Sequence, residues 1–165
     1  MKIQTERLTI DPLTVNDRDF MRLLVNTEGW LKFIGNRNVN SDEDAVAYVQ
    51  KILTTPDFTY QVVHQKATGE PIGIVSFIKR SYLDHFDIGF AFLPEHSGKG
   101  YALEASRAML SHMQKQPQHK TVLATTVPGN TASIKLLKKL GFRFDKEMDS
   151  EKGRLHVYTT DAEKI

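Results

Sequence analysis

The sequence contains no cysteine among its 165 residues. Disulfides, thiolate metal ligands and a cysteine nucleophile are therefore excluded. No apolar run approaches the ~20 residues that a membrane-spanning helix requires, and the start, MKIQTERLTIDPL, lacks the long apolar core of a secretory signal. We therefore expect a soluble cytoplasmic protein without a membrane partner.

A strong charge of either sign is also missing. The 22 basic and 20 acidic residues leave a formal net charge of only +2, which is too small to favour nucleic acid as a partner. Histidines lie on separate segments without the spacing of metal ligands, so we expect no metal site. Because no repeat, linker or low-complexity tract divides the chain, we predict a single domain over residues 1–165.

The apolar periodicities present in the chain predict a mixed α/β fold. Helical spacing appears early, in the segments around Phe20 and Val49. The middle contains apolar or alternating runs joined by turn residues, such as FTYQVVHQ and IGIVSFI, which are typical of strands. Towards the end, helical and strand patterns alternate. This order favours helices packed in layers against a sheet.

The segment HSGKGYALEA, residues 96–105, places two glycines directly before a helical pattern. Glycine lets a backbone approach a ligand closely, and the N–H groups of a first helical turn favour negative charge. A nucleotide-triphosphate loop needs Ser or Thr after Gly-Lys, and a dinucleotide fingerprint needs a third glycine where Leu103 stands. The pyrophosphate of coenzyme A and a plain tight turn are the interpretations that remain.

A second motif lies one predicted strand further on, PGNTASIKLLKKLGF at residues 128–142. Together with FDIGFAFLPEHSGKGYALEA, it strongly resembles the GNAT superfamily of N-acetyltransferases, and in particular the branch that acetylates N-terminal amines of ribosomal proteins. The resemblance implies a central, twisted, mostly antiparallel sheet of about six to seven strands flanked by helices. It also implies acetyl transfer from acetyl-CoA, as co-substrate, to a primary amine.

Several functional alternatives stay open at this point. The acceptor is a peptide or protein N-terminus, an aminoglycoside, a polyamine or another small amine, and the chain is a monomer or a homodimer. A non-catalytic acetyl-CoA sensor is a further alternative. It is favoured by Leu137, which stands where many family members carry the tyrosine that acts as general acid.

The resemblance implies a coenzyme site built mainly from backbone. The strand around Ala91, Phe92 and Leu93 is expected to hydrogen-bond the pantetheine arm, and an unpaired N–H near Phe92 is a candidate oxyanion donor. The loop expected to wrap the pyrophosphate consists of His96, Ser97, Gly98, Lys99, Gly100, Tyr101 and Ala102. Asn130 is expected to cap its helix and contact the coenzyme, with Ser133 one turn later protonating the leaving sulfur.

Residues for the acceptor side are predicted from two further segments. Strand alternation places Asp87 on the same face as His85, so we predict Asp87 as general base, with its pKa raised by partial burial, and His85 beside it. A solvated Asp–His pair at a strand start is the alternative. Trp30, Phe33 and Ile34 lie in an aperiodic stretch and are expected to wall the acceptor site.

Overall fold

The computed structural model of the protein describes residues 1–151 and 153–161. Within these ranges the α-helices are α1 (Arg18–Val25), α2 (Glu28–Phe33), α3 (Asp42–Thr54), α4 (Tyr101–Met113) and α5 (Thr131–Lys139). The strands are β1 (Ile3–Gln4), β2 (Leu8–Pro12), β3 (Phe58–Gln65), β4 (Pro71–Ile78), β5 (Asp87–Phe92), β6 (Leu123–Thr126), β7 (Arg143–Ser150) and β8 (Gly153–Thr159).

One sheet contains all eight of these strands, in the order β1-β2-β3-β4-β5-β6-β8-β7. Among the described strands, β5 and β6 form the one parallel pair, and every other neighbouring pair is antiparallel. The mixed α/β, mostly antiparallel prediction is confirmed. The strand count exceeds the expected six to seven because β1 has only two residues, too few for an apolar pattern.

Local sequence signals set the helix boundaries. Thr14 and Asp17 form a reciprocal capping box before α1, and the Ser41 hydroxyl accepts a hydrogen bond from the Asp44 N–H at the start of α3. The aperiodic stretch that includes Trp30 contains the short helix α2, capped by Thr27, followed by an irregular loop. The helices α2 and α3 therefore begin at residues whose side chains satisfy a free N–H group, whereas the capping box before α1 serves the short 3₁₀ helix Val15–Asp17.

Helices cover both faces of the sheet. One hydrophobic cluster joins α4 and α5 to strand residues that include Val75 and Phe77. The other joins α1, α2 and α3 to the sheet through Val62 and Ile74. In the described ranges, no helix combines the length and the apolar composition needed to cross a membrane.

The sheet opens between its two parallel strands. β4 and β5 are paired over six positions, whereas β5 and β6 are paired only at Asp87 and Leu123. Beyond that point β5 and β6 diverge, and their facing backbone groups have no strand partner on this side. The gap is the structural feature that creates the site.

Candidate active site

A cleft of about 1090 Å³ occupies the gap between β5 and β6. Its walls come from both strands, from the loop before α4, from α5, from α2 and from the β7–β8 hairpin. The predicted residues that line it are Trp30, Phe33, Ile34, Asp87, Ala91, Phe92, His96, Ser97, Gly98, Gly100, Tyr101, Ala102, Asn130 and Ser133. The fold therefore brings segments more than 100 positions apart in the sequence to one cavity.

Backbone direction along β5 decides which N–H groups face the cleft. The Leu93 N–H donates to the Ile72 carbonyl of β4 at 2.9 Å, and the Phe86 carbonyl accepts from the Leu123 N–H at 2.9 Å on the opposite side. Because backbone groups alternate in direction along a strand, the N–H groups of Phe90 and Phe92 point towards the gap.

The expectation for the flanking positions was wrong in this respect. The Leu93 N–H is used within the sheet, the Leu93 side chain is buried, and the residue does not line the cleft. By the same alternation the Ala91 N–H faces β4, so Ala91 lines the cleft through its side chain rather than through a free donor. The Phe92 N–H points towards the gap, and its part as oxyanion donor stays a prediction.

The glycine loop has the backbone geometry of an anion site. Gly98 and Gly100 have φ values of 75° and 82°, in the left-handed region that favours glycine. Gly100 is the N-cap of α4 and offers no side-chain cap, so the first-turn N–H groups of a 13-residue helix point at the cleft. Lys99, between the two glycines, does not line the cleft, and its carbonyl instead accepts from Arg7.

Arg7 holds this loop from behind. Its Nε lies 2.7 Å from Glu104 Oε1 on α4, and one of its terminal nitrogens donates to the Lys99 carbonyl at 3.0 Å. Its guanidinium carbon also lies 4.4 Å from the Tyr101 ring centroid. The sequence reasoning did not identify Arg7, because its partners lie more than 90 positions away.

Asp87 forms a buried ion pair instead of a pair with His85. Asp87 is only 2% exposed, and Arg80 Nε lies 2.5 Å from its Oδ2. Burial raises the pKa of Asp87, and the charge and hydrogen bond of Arg80 oppose that rise. The predicted pairing with His85 was wrong because β5 begins at Asp87, which leaves His85 exposed in the preceding bend and outside the cleft.

A polar row runs across three strands next to Asp87. Tyr60 of β3 is paired with Ser76 of β4, and Ser76 is paired with Gly89 of β5. A side chain at Gly89 would meet the Ser76 Oγ at 2.7 Å, so glycine makes room for this hydroxyl. Tyr60, Ser76 and Gly89 all line the cleft.

The opposite wall is the first turn of α5. Asn130 is its N-cap, and the side-chain oxygen of Asn130 accepts from the Ser133 N–H at 3.3 Å. The capping oxygen is thus used within the helix, whereas the amide nitrogen of Asn130 and the hydroxyl of Ser133 are on cleft-lining side chains. Leu137, one turn further, is 1% exposed and packs in the core beneath the same wall.

The part of the cleft between α2 with its following loop and the polar strand row is where the acceptor is predicted to bind, and it is called the acceptor end below. Trp30 and Phe33 of α2 supply apolar wall, and Arg37 of the loop lies with its guanidinium carbon 5.9 Å from the Trp30 ring centroid. Tyr60 and Arg80 line the same end from the sheet. Sequence reasoning missed Arg37, Tyr60 and Arg80, although Arg80 lies only two positions after the apolar strand IGIVSFI.

Family comparison settles the class of protein. The model of the acetyltransferase (GNAT) domain matches residues 7–143 of the chain. The chain belongs to the GNAT acetyltransferase family. The uncharacterized N-acetyltransferase YnaD of Bacillus subtilis (strain 168) is 30% identical over 143 residues, which cover 87% of this chain and 83% of YnaD.

Solved GNAT structures share the fold over nearly the whole chain. The ribosomal L7/L12 α-N-protein acetyltransferase RimL, solved with coenzyme A, matches with a TM-score of 0.84 at 16% identity, covering 98% of this chain and 100% of that one. The aminoglycoside acetyltransferase AAC(6′)-Ib, also solved with coenzyme A, matches with a TM-score of 0.79 at 18% identity and coverage of 95% and 96%. This chain is a GNAT N-acetyltransferase. Because the two neighbours share the fold and act on different acceptors, the fold does not determine the acceptor.

Proposed function

We propose that this GNAT protein transfers the acetyl group of acetyl-CoA to a primary amine by direct attack within a ternary complex. The observation that carries the proposal is the divergence of β5 and β6 directly below the left-handed Gly98–Gly100 loop and the α4 N-terminus. Acetyl-CoA supplies an activated thioester whose C–S bond breaks as the amine nitrogen bonds to the carbonyl carbon. Residues of this chain position the groups, polarise the carbonyl and move protons.

Acetyl-CoA is bound by the loop before α4 and by β5. The free N–H groups around Gly98, Gly100 and Ala102 suit the pyrophosphate, since a helix N-terminus favours negative charge. The Phe92 N–H, pointing into the gap, donates to the thioester carbonyl oxygen, where negative charge develops as the amine attacks. Phe90, two residues earlier and oriented alike, is placed to hold an amide of the pantetheine arm.

Proton removal is assigned to Asp87. A carboxylate accepts a proton only when ionised, and the adjacent Arg80 stabilises that form against the cost of burial. The Asp87 side chain shares a strand face with Gly89, where the Ser76 hydroxyl fills the space beside it. An amine nitrogen bound at the acceptor end thus passes its proton to Asp87, directly or through one water.

Stabilisation of the leaving sulfur is assigned to the first turn of α5. The Ser133 hydroxyl donates to the thiolate as the C–S bond breaks, and the amide nitrogen of Asn130 adds a second donor on the same helix turn. A free thiol has a pKa of ~8.5, so a thiolate leaves at neutral pH without an obligatory acid. This removes the need for a tyrosine at Leu137.

A thiol-release assay tests the proposal. The protein is mixed with acetyl-CoA and an amine panel that contains peptides beginning in Ser or Ala, an aminoglycoside, spermidine and amino acids. We expect thiol release that depends on both substrates, with intersecting initial-velocity lines, as direct attack in a ternary complex requires. Calorimetric binding of acetyl-CoA with no thiol release for any amine would instead favour the sensor.

A further inference from the structure

The charges at the acceptor end are not balanced. Arg80 is neutralised by Asp87 at 2.5 Å. Arg37 lines the same end, and among the described residues no carboxylate lies within ion-pair distance of it. The acceptor end therefore carries a net positive charge when Asp87 is ionised.

The aromatic groups beside Arg37 do not compensate its charge. Burial raises the pKa of Tyr60 far above the ordinary value for a phenol, and Arg37 and Arg80 together oppose that rise only in part. Burial likewise raises the pKa of Tyr48, which also faces Arg37. Both phenols are neutral at physiological pH, and they hydrogen-bond each other: the Tyr60 hydroxyl donates to the Tyr48 oxygen, which also accepts from Arg37. The Trp30 ring beneath Arg37 adds apolar surface but no negative charge.

Apart from Asp87, two acidic residues of the described chain line the cleft. Asp149 and Glu151 come from the β7–β8 hairpin, and the Asp149 side chain is 91% exposed, with Arg154 at 3.8 Å. Screening by water makes such exposed carboxylates weak anchors for a cation. An acceptor with several positive charges would thus meet Arg37 near the reacting atoms, where the buried carboxylate of Asp87 is already paired with Arg80. Like charges in contact cost several kcal/mol of binding free energy.

We propose that the acceptor is a small amine that also carries a carboxylate, an amino acid or a close analogue, with the carboxylate bound by Arg37. A guanidinium presents two parallel N–H donors that match a carboxylate. Trp30 and Phe33 face the apolar part of the molecule. The reactive amine lies towards Asp87. This inference rests on the proposed acetyl transfer to an amine.

The test compares matched amines on the wild-type protein. Each amino acid is assayed beside its own carboxamide, with spermidine and an aminoglycoside as polycationic probes, and kcat/KM is expressed per neutral amine. We expect at least one amino acid to exceed its amide and both polycations by about tenfold or more, as expected for one hydrogen bond to a charged group. Equal or better turnover of the amides or of the polycations overturns the inference.

A matched pair of variants locates the effect. Arg37→Gln removes the charge at the acceptor end, and Lys51→Gln removes one from an exposed position of α3 outside the cleft. We expect Arg37→Gln to raise KM for the best amino acid about tenfold with little change in kcat, to change KM for the amide less than twofold and to leave the melting temperature unchanged. Lys51→Gln should leave both substrates unaffected.

The outcomes separate the two levels of the proposal. Turnover of amides or polycations without a preference for carboxylates, or an equal loss on both substrates in Arg37→Gln, overturns the aminocarboxylate assignment and leaves acetyl transfer intact. Binding of acetyl-CoA with no turnover of any amine overturns both.

Discussion

Replacing Gly98 with alanine is the sharpest test of the pyrophosphate loop. Gly98 has φ 75°, and a Cβ there meets no protein atom within 4 Å, so the added methyl projects into open space rather than into the core. Alanine in the left-handed region costs roughly 1–2 kcal/mol of folding free energy. For a chain of 165 residues, that lowers the melting temperature by roughly 2–8 °C.

The chain supplies a matched control for this strain. Gly141 ends α5 with φ 95°, its Cβ also meets nothing within 4 Å, and it does not line the cleft. Gly141→Ala should lower the melting temperature by a similar amount. Coenzyme affinity should change only in Gly98→Ala, where the methyl keeps the backbone N–H groups away from the pyrophosphate.

The expected loss of affinity follows from the hydrogen bonds involved. A hydrogen bond to a charged group contributes about 1.5–3 kcal/mol, so losing one weakens coenzyme A binding roughly tenfold to a hundredfold. Isothermal calorimetry measures this directly. S-acetylpantetheine, which lacks the pyrophosphate, should serve Gly98→Ala as well as it serves the wild type. Unchanged coenzyme A affinity in a Gly98→Ala protein that shows the strain in its melting temperature would refute the loop assignment.

The remaining predictions concern proton transfer and the fold of β5. Because the pKa of Asp87 is raised, its ionised form appears only above that raised pKa, so kcat should rise as the pH rises through it. Asp87→Asn should lower kcat at pH 7 by about a hundredfold or more, with a smaller loss at high pH. Full activity of this variant at pH 7 would assign the base elsewhere. Ser133→Ala should slow kcat about fivefold, the value of one hydrogen bond of ~1 kcal/mol, and complete inactivation of the folded variant would make the serine essential. In Gly73→Ala the new Cβ would lie 2.4 Å from the Phe92 ring, so the free energy of unfolding measured by urea titration should fall by about 1–3 kcal/mol. Gly129→Ala is the control, because a Cβ at Gly129 meets no atom within 4 Å, and it should not show this loss.

The helix caps and the glycine loop were accessible from sequence because each depends on neighbours within a few positions. Ser41 with Asp44, and Gly100 before α4, are set by local backbone requirements that specific residue types satisfy. The order of motifs predicted the fold class for the same reason, since each strand and helix carries its own period. The number of strands was underestimated only at β1, because a strand of two residues is too short to show an alternating pattern.

The start of β5 was not predictable from its own pattern. YLDHFDIGFAFL alternates like one long strand, but the ammonium of Lys79 donates to the carbonyls of Arg80 and Leu83 and holds this segment as a turn. His85 is left in the bend that follows. The Arg80–Asp87 ion pair then closes the same connection. A side-chain contact of this kind leaves no periodic trace in the sequence, so strand parity was extended too far.

The acceptor end was equally hidden, for a different reason. Its residues come from a loop, from β3 and from the segment after β4, and none of them belongs to a motif. Arg37, Tyr60 and Arg80 line one cavity only because the β3–β4–β5 register and the loop after α2 bring them together. The residues proposed for acceptor binding thus lie outside the two motifs that predicted the coenzyme site.

Alternation along β5 links the chemistry to the packing of the sheet. The Asp87 side chain lies on the strand face of the polar row, while the backbone N–H groups of Phe90 and Phe92 face the gap. The proposed base and the proposed oxyanion donor therefore belong to one strand and keep a fixed relation. A slip of one residue would reverse both. Gly73 prevents that slip, because only a residue without a side chain fits opposite the Phe92 ring. The register of β4 against β5 is therefore a condition of catalysis as well as of stability, and a substitution that shifts it should reduce kcat even where the protein remains folded.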